Sequence, residues 1–339
     1  MSYAVPQNRL AVEPMIAALK AAGEPTRLRI LALLAEAELT VKDLTAILGQ
    51  SQPRISRHLR LLTETGLVDR NPEGAWVFYR LGEGGAARNL ATSVFTLTDP
   101  ADPVFARDRE RLVQVKREHA EVARRYFAAN ASGWDTIRAL HVADDAVERA
   151  ILEVIGKRRF DTLLDLGTGT GRMIELLHGL YARAIGVDAS TDMLAVARVN
   201  LDRAKIGSAQ VRLGDIYHLP FARDAFDVVT IHQVLHYLDD PERAVAEAAR
   251  VLKPGGRLLV VDFAPHDLEF LRERHAHRRL GFSRQAMVQW LQAPGLALET
   301  ALDLAPPRRS GRNALTVTLW LARDPRAAIA GQASSREVA

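Results

Sequence analysis

Hydrophobic positions along the chain follow two different rhythms. Up to about residue 81 they recur at helical spacing and end in a short hairpin-like stretch. From Asp144 onward, helical stripes alternate with short apolar runs. In the first block, Leu28–Ala35 carries Leu28, Ile30, Leu31, Leu33 and Leu34 nearly all round, which predicts a buried helix. Thr40-Val-Lys-Asp43 opens a second helix with a hydroxyl cap and an acid in the first turn. That helix carries Val41, Leu44, Ile47 and Leu48 and stops at Gly49. Ser51 is placed to cap a third, Gln52–Glu64, with Pro53 in its first turn and Ile55, Leu59 and Leu62 on its apolar face. Leu67–Arg70 and Ala75–Leu81, joined by the turn Asn71-Pro-Glu-Gly74, predict a β-hairpin of wing size.

The second rhythm predicts an amphipathic helix at Asp144–Gly156, a strand at Thr162–Leu166, a helix at Arg172–Leu180, a strand at Ala184–Val187 and a helix at Asp192–Ala204. The runs Phe226–Ile231 and Arg257–Asp262 flank a further helix at Pro241–Leu252. Such alternation means a parallel sheet with helices on both faces. Leu296–Leu304 and Asn313–Leu321 add two strands able to form an antiparallel edge hairpin. Between the blocks, Thr96–Phe105 holds two Asp-Pro pairs that disfavour helix. Arg107–Asn130 then carries Leu112, Val115, Val122 and Tyr126 at near-helical spacing among many charges. It reads as a solvated connecting helix or as a dimer or interdomain strut, about 36 Å long. The expected division is 1–95, a linker and helix at 96–143, 144–323, and a frayed tail at 324–339.

Composition narrows the chemistry. The 339 residues include no cysteine, which removes disulfides, thiolate metal sites and any cysteine nucleophile. No apolar run approaches the roughly 20 residues that span a bilayer, and MSYAVPQNRL has neither a basic nor an apolar leader region. A cytoplasmic, membrane-free location is the expectation. The net charge of +4 is too small to announce a nucleic-acid partner, so clustering has to be found locally. It is found on Gln52–Glu64, where residues 51–63 hold three arginines and no acid. Ser51, Gln52, Arg54, Ser56, Arg57, His58 and Arg60 form a polar, basic face opposite the apolar one, fit to meet guanine edges and phosphates. Two helices joined by a tight glycine turn, with a wing behind them, make a winged helix-turn-helix for double-stranded DNA.

This stretch, about Ile16 to Leu81, resembles the ArsR/SmtB family of winged-helix repressors. The resemblance rests on Leu19-Lys-Ala-Ala-Gly-Glu-Pro-Thr-Arg-Leu-Arg-Ile-Leu31, on Ser51-Gln-Pro-Arg-Ile-Ser-Arg-His-Leu-Arg-Leu-Leu62 and on Gly66-Leu-Val68. It implies a homodimer on an imperfect operator palindrome. The chain departs from the thiolate metal sensors at Glu38-Leu-Thr-Val41, which has Thr40 and no cysteine, and no metal site is expected.

Asp161-Thr-Leu-Leu-Asp-Leu-Gly-Thr-Gly-Thr-Gly171 runs from an apolar strand into a three-glycine turn and then a helix. Gly167, Gly169 and Gly171 permit positive φ and close approach of a ligand to the backbone. Dinucleotides, nucleoside cofactors and plain turns all use such a run. Context favours a nucleoside: Asp188, about 20 residues on, ends the next strand where ribose hydroxyls are held, and Asp215 of Gly214-Asp-Ile216 follows a third. No second phosphate-binding turn accompanies it. Residues 124–323, and 160–263 most specifically, are similar to class I S-adenosylmethionine-dependent methyltransferases of the ubiquinone/menaquinone type. They share Leu164-Asp-Leu-Gly-Thr-Gly-Thr-Gly171, Gly186-Val-Asp-Ala-Ser190, Gly214-Asp215, Phe226-Asp-Val-Val229, His236 and Leu252-Lys-Pro-Gly-Gly256. The resemblance implies an α/β Rossmann-like fold of seven strands behind the α+β winged helix. It also implies S-adenosylmethionine or S-adenosylhomocysteine as ligand. Asp165, Gly167, Gly169 and Gly171 would hold the methionine end and Asp188 the ribose, Met193 and Ile216 would pack on the adenine with Asp215 on its amino group, His232 would face the pocket, and Thr168, Ala189 and Gly214 would also belong to the cofactor site.

Methyl transfer is an in-line displacement at a sulfonium, so positioning supplies most of the catalysis and a base is needed only if the acceptor must lose a proton. His232, His236 and Tyr237 are the candidates for that base. Thr230–Tyr237 lacks the Asn/Asp-Pro-Pro-aromatic pattern of enzymes that methylate nucleobase amines. His266, His275 and His277, nine and two residues apart, do not share a helical face, and are expected to be solvated or to line an acceptor pocket rather than bind metal. Asp267–Pro294 is charged and rich in Arg and His, without an evident apolar pocket. The expectation is therefore a DNA-binding regulator whose second domain senses S-adenosylmethionine or S-adenosylhomocysteine. An active small-molecule methyltransferase under winged-helix control is the alternative.

Overall fold

The structure is a computed structural model and describes residues 10–73, 75–82, 85–96, 98–99, 101–131, 144–305 and 315–326. The chain forms two compact units that divide between Glu121 and Val122. The tip of the wing at Gly74, the segment 132–143 and the tail from 327 lie outside the described residues.

The first unit begins with α1 (Val12–Ala22) and α2 (Pro25–Glu36), followed by β1 (Leu39–Thr40). The helix-turn-helix is α3 (Val41–Leu48) and α4 (Gln52–Glu64). At the start of α3, the Thr40 hydroxyl accepts the Asp43 backbone N–H while the Asp43 carboxylate accepts the Thr40 backbone N–H, a reciprocal capping box. Gly49 ends α3 at φ +66°, the left-handed geometry that lets the chain reverse into α4. Ser51 does occupy the position before α4, but its side chain makes no capping bond. The apolar faces of α2, α3 and α4 meet in one core, with Ile30, Leu31, Leu44, Ile47, Ile55, Leu59 and Leu62 fully buried. The hairpin is longer than the sequence suggests. β2 (Val68–Glu73) runs through the expected turn residues and pairs Glu73 with Trp76 of β3 (Trp76–Leu81). β1 adds a third strand, giving the order β1-β3-β2, because Leu39 and Thr40 are already extended to reach the cap of α3.

Two more helices follow, α5 (Gly85–Thr96) and α6 (Pro103–Asn130). The first half of α6 belongs to the N-terminal core, where Leu112 and Val115 are buried. It is fastened there by polar contacts. Arg29 Nε and Nη2 each donate to the buried Asp108 carboxylate at 2.6 Å, Arg111 donates to the carbonyl of Ile47 at 2.8 Å, and His119 lies 3.2 Å from Asp43. This half is a structural member of the DNA-binding unit and not a solvated connector.

The second unit opens with α7 (Asp144–Ile155), then alternates β4 (Phe160–Leu166), α8 (Arg172–Leu176), β5 (Tyr181–Asp188), α9 (Thr191–Arg203), β6 (Ala209–Leu213), β7 (Phe226–His232), α10 (Pro241–Arg250) and β8 (Leu252–Phe263). After α11 (Phe270–His275) and α12 (Arg284–Gln292), β9 (Ala297–Leu304) and β10 (Val317–Arg323) complete it. The seven strands lie in the order β6-β5-β4-β7-β8-β10-β9. β6, β5, β4, β7 and β8 are parallel, and β10 is antiparallel to both of its neighbours. The expected edge hairpin is thus present, but with its later strand inserted beside β8. Two apolar clusters flank this sheet, as a doubly covered parallel sheet requires. α8 ends four residues before the predicted Leu180 and gives way to a turn in which Gly179 has φ +92°. α10 ends at Arg250, and Leu252 already belongs to β8. Among the described residues, no helix is long and apolar enough to cross a membrane.

Candidate functional site

On α4, Ser51, Gln52, Arg54, Ser56, Arg57 and Arg60 are exposed, whereas Ile55, Leu59 and Leu62 are buried. One helix thus presents its cations outward because its apolar stripe is spent on the core. Arg60 lies 3.8 Å from Glu64, and Arg54 and Arg57 have no acidic partner among the described residues. His58 stands apart from this face. It is half-buried, within 3.6 Å of the Glu24 carboxylate, and burial pulls its pKa down in spite of that neighbour.

The second site gathers at the C-terminal ends of the parallel strands, the ligand edge of open α/β sheets. Asp165, near the end of β4, is 1% exposed, and its Oδ1 accepts the Thr230 hydroxyl at 2.7 Å. Its Oδ2 is sealed from solvent without a hydrogen-bond partner among the described residues, as is the hydroxyl of the adjacent Thr168. Burial pushes the Asp165 carboxyl up to about 6, against the hydrogen bond from the Thr230 hydroxyl, which lowers it. A buried carboxylate oxygen with unmet demand fits the ammonium group of a methionine moiety.

Gly167, Gly169 and Gly171 all lie at positive φ, +68°, +53° and +86°. At Gly167 the close approach is also concrete, since an added Cβ would stand 2.3 Å from a methyl of Val234. Asp188 ends β5 and knits this loop to the second strand. One oxygen accepts the backbone N–H of Gly169, the other that of Ser190, both at 2.8 Å. Burial raises the pKa of this carboxyl despite those donors. Pinned in this way, Asp188 still has lone pairs for ribose hydroxyls. Ala189 beside it is exposed. Ser190 caps α9, which buries Met193, while Ile216 is half-buried against the core cluster that holds Val187 and Leu219. Gly214 leaves no room for a side chain, since its Cβ would meet Val187 at 2.7 Å. Asp215 is exposed and turned into its own loop, accepting the Tyr217 backbone N–H at 2.9 Å with its other oxygen 3.0 Å from His218. The strand ends therefore bring Asp165, the glycine loop and Asp188 together, with Asp215 at the rim.

His232 is half-buried at the end of β7, and His236 and Tyr237 sit on the 3₁₀ turn Leu235–Tyr237. His236 and His277 are buried with ring centroids 4.2 Å apart, and His277 is stacked on Phe263. His275 Nδ1 lies 2.7 Å from the Tyr126 hydroxyl, and Phe127 packs edge-on against Tyr237 at 4.8 Å. His266 is half-buried, 6.1 Å from Phe263, and burial pushes its pKa down to about 4. Of the two expectations for these histidines, solvated or lining an acceptor pocket, the first does not hold: they pack into an aromatic cluster around His236. Among the described residues, no group of three or more His, Asp or Glu side chains is arranged to hold a metal ion. Sequence reasoning missed Asp262, fully buried in β8 with its Oδ1 2.8 Å from His236 Nδ1. The one available signal was an acid closing the apolar run Leu258–Val261. It also missed Gln233, buried just after β7 with φ +55°.

A winged helix-turn-helix and a Rossmann-like sheet of methyltransferase order define the two classes of domain. Family comparisons agree. Residues 24–70 match the model for bacterial regulatory proteins of the arsR family, and residues 164–260 match that of a methyltransferase domain. The chain therefore carries an arsR-family helix-turn-helix joined to a methyltransferase domain, and the methyltransferase fold implies an S-adenosyl nucleoside ligand. The uncharacterized methyltransferase YcgJ of Bacillus subtilis is 37% identical over 106 residues, 31% of this chain and 42% of that protein. The demethylmenaquinone methyltransferase of Thermobifida fusca is 37% identical over 131 residues, 39% of this chain and 53% of that protein. The ubiquinone/menaquinone biosynthesis C-methyltransferase UbiE of Klebsiella pneumoniae is 32% identical over 166 residues, 47% of this chain and 66% of that protein. The chain thus spans about half the length of the curated relatives it matches.

Proposed function

We propose that the protein is a DNA-binding transcriptional regulator of the ArsR type, and that its methyltransferase-like domain binds S-adenosylmethionine or S-adenosylhomocysteine as the sensed ligand. The observation that carries this reading is that one chain joins an outward-facing basic recognition helix to a strand-end site with an unsatisfied buried carboxylate. Helix α6 is the natural relay. Its first half is fastened to α2 and α3, and its last turns place Tyr126 and Phe127 in the methyltransferase unit against His275 and Tyr237. Sensing requires only that the nucleoside bind two states of the protein with different affinity.

The regulator acts as a homodimer on a palindromic operator. An exposed stripe on α1 supports the pairing: Val12, Ile16 and Leu19 are 74%, 45% and 48% exposed at helical spacing, opposite the buried Ala18, Ala21 and Ala22. A second reading, methyl transfer to a small molecule, draws support from the buried His236–Asp262 pair, an arrangement that ligand sensing does not need. One experiment weighs both. Operator affinity is measured while each nucleoside is titrated, with labelled methyl transfer to cell extract followed alongside. A ligand-dependent change in DNA affinity is expected. Robust transfer with no effect of either nucleoside on DNA binding would overturn the sensor.

A further inference from the structure

His236 is 1% exposed and Asp262 is not exposed at all. Asp262 Oδ1 lies 2.8 Å from His236 Nδ1 and also accepts the Phe263 backbone N–H at 2.8 Å. A carboxylate can only accept, so Nδ1 of the neutral ring carries the proton and Nε2 is left with the lone pair. The rings of Tyr237, His277 and Phe263, at 4.1, 4.2 and 4.9 Å, hold the imidazole in place. His236 is also two residues from Val234, the side chain that lies against Gly167 of the nucleoside loop. The lone-pair nitrogen therefore belongs to the same turn as the wall of the cofactor site.

Three further polar atoms around these strand ends are sealed from solvent and have no hydrogen-bond partner among the described residues: Asp262 Oδ2, Gln233 Nε2 and His266 Nε2. His266 Nδ1 accepts the Leu268 backbone N–H at 3.3 Å, so the proton of its neutral ring sits on Nε2. Of these three, Asp262 Oδ2 is an acceptor, and Gln233 Nε2 and His266 Nε2 are donors. A hydroxyl or an amine nitrogen, which has both a proton and a lone pair, satisfies both kinds; a carbon acid does not.

We infer that Asp262 is a positioning residue that holds His236 as general base for methyl transfer to a protic heteroatom, an acceptor O–H or N–H. This rests on the methyl-transfer reading above and selects His236 from the three candidate bases. Tyr237 is a poor alternative, because burial, with Tyr126 and Asp262 nearby, holds its hydroxyl well above the usual phenol range. In the step, the acceptor O–H or N–H bond breaks and its proton passes to His236 Nε2. The heteroatom's electron pair forms the new bond to the methyl carbon of S-adenosylmethionine. The carbon–sulfur pair returns to sulfur, which leaves as S-adenosylhomocysteine, and the proton on His236 is then lost to solvent.

The test uses the full chain labelled with ¹⁵N-histidine and saturated with S-adenosylhomocysteine, with phenol and anisole as probes that differ in the O–H. His236 is identified by the resonance lost in His236→Gln. The expected result is an Nδ1–H tautomer whose Nε2 resonance moves with phenol and not with anisole. Asp262→Asn weakens the phenol effect at least tenfold, and Asp262→Glu restores part of it. An Nε2–H tautomer in the unaltered chain, or an equal or absent response to the two probes, would overturn the proposal without recourse to any variant. Calorimetry on the same sample separates the layers. A chain that binds no S-adenosylhomocysteine defeats the nucleoside reading, whereas one that binds it and fails the probe test defeats only the role of Asp262 and His236.

Discussion

The recognition helix and the nucleoside site solve opposite problems. On α4 the chemistry is on the outside: Arg54 and Arg57 stand in water, and the fold's task is only to bury Ile55, Leu59 and Leu62 behind them. At the strand ends the chemistry is inside, where Asp165 keeps an unsatisfied oxygen out of water and Asp188 is pinned by two backbone N–H groups. The first arrangement costs the fold almost nothing, because exposed cations are already solvated. The second keeps charge away from water, and on the proposed reading a nucleoside supplies what water would have. A substitution on α4 should therefore alter binding and leave stability alone, whereas one at the strand ends should alter both.

The contrast can be broken in several ways, the largest first. Arg29→Ala strands the buried Asp108 carboxylate and should destabilise the DNA-binding unit by about 3 kcal/mol, read by chemical denaturation. A loss below about 1 kcal/mol would mean that α6 is not fastened as described. Asp188→Ala removes the carboxylate proposed to accept from the ribose and unpins the glycine loop. S-adenosylhomocysteine affinity should fall about 100-fold by calorimetry, on the scale of one or two charged hydrogen bonds. Full retained affinity would end the ribose assignment. Arg57→Ala should weaken operator binding about tenfold and leave the melting temperature where it was; unchanged operator affinity would remove α4 as the reading helix.

The pH response of the nucleoside site has a definite sign. The folded-state pKa of Asp165 is raised from its ordinary 3.8 to about 6, so the native state holds this proton more tightly than the unfolded chain. Its contribution to stability is complete below about pH 4 and is lost as the pH rises through 6. Ligand-free protein should therefore lose stability across that window relative to Asp165→Asn, in paired thermal melts from pH 4 to 7. Parallel curves would show that folding does not raise the Asp165 pKa. The smallest effect concerns the two helix starts. Thr40→Ala breaks the capping box of α3 and should cost about 1 kcal/mol. Ser51→Ala removes no capping bond and should change stability by less than about 0.5 kcal/mol.

The same contrast explains what was legible beforehand. Helical periodicity, caps and glycines are local, so α2, α3, α4 and the alternation from β4 to β8 could be read within a few residues, as could the glycine loop and Asp188. Misreadings came where tertiary partners decide. Pro72 and Glu73 look like a turn until β3 pairs with them, and β10 reads as an edge strand until it is seen between β8 and β9. His58 shares α4 with the arginines, and its 3.6 Å approach to Glu24, 34 residues earlier, is one that no local pattern records. Asp262 and the histidine cluster were least visible. Their meaning depends on a pairing 26 residues apart, between two strand ends whose adjacency no periodicity records.

The position of β10 also has a consequence for biogenesis. The strand that completes the sheet is the last to leave the ribosome, so β8 and β9 remain unjoined until synthesis has passed Arg323. The DNA-binding unit is complete by Glu121. At roughly 5–20 residues per second, it has on the order of 10–40 s to fold before the methyltransferase sheet can close. Each newly made chain thus passes through an interval in which every residue of the DNA-binding unit has been made and the second unit's sheet still lacks a strand.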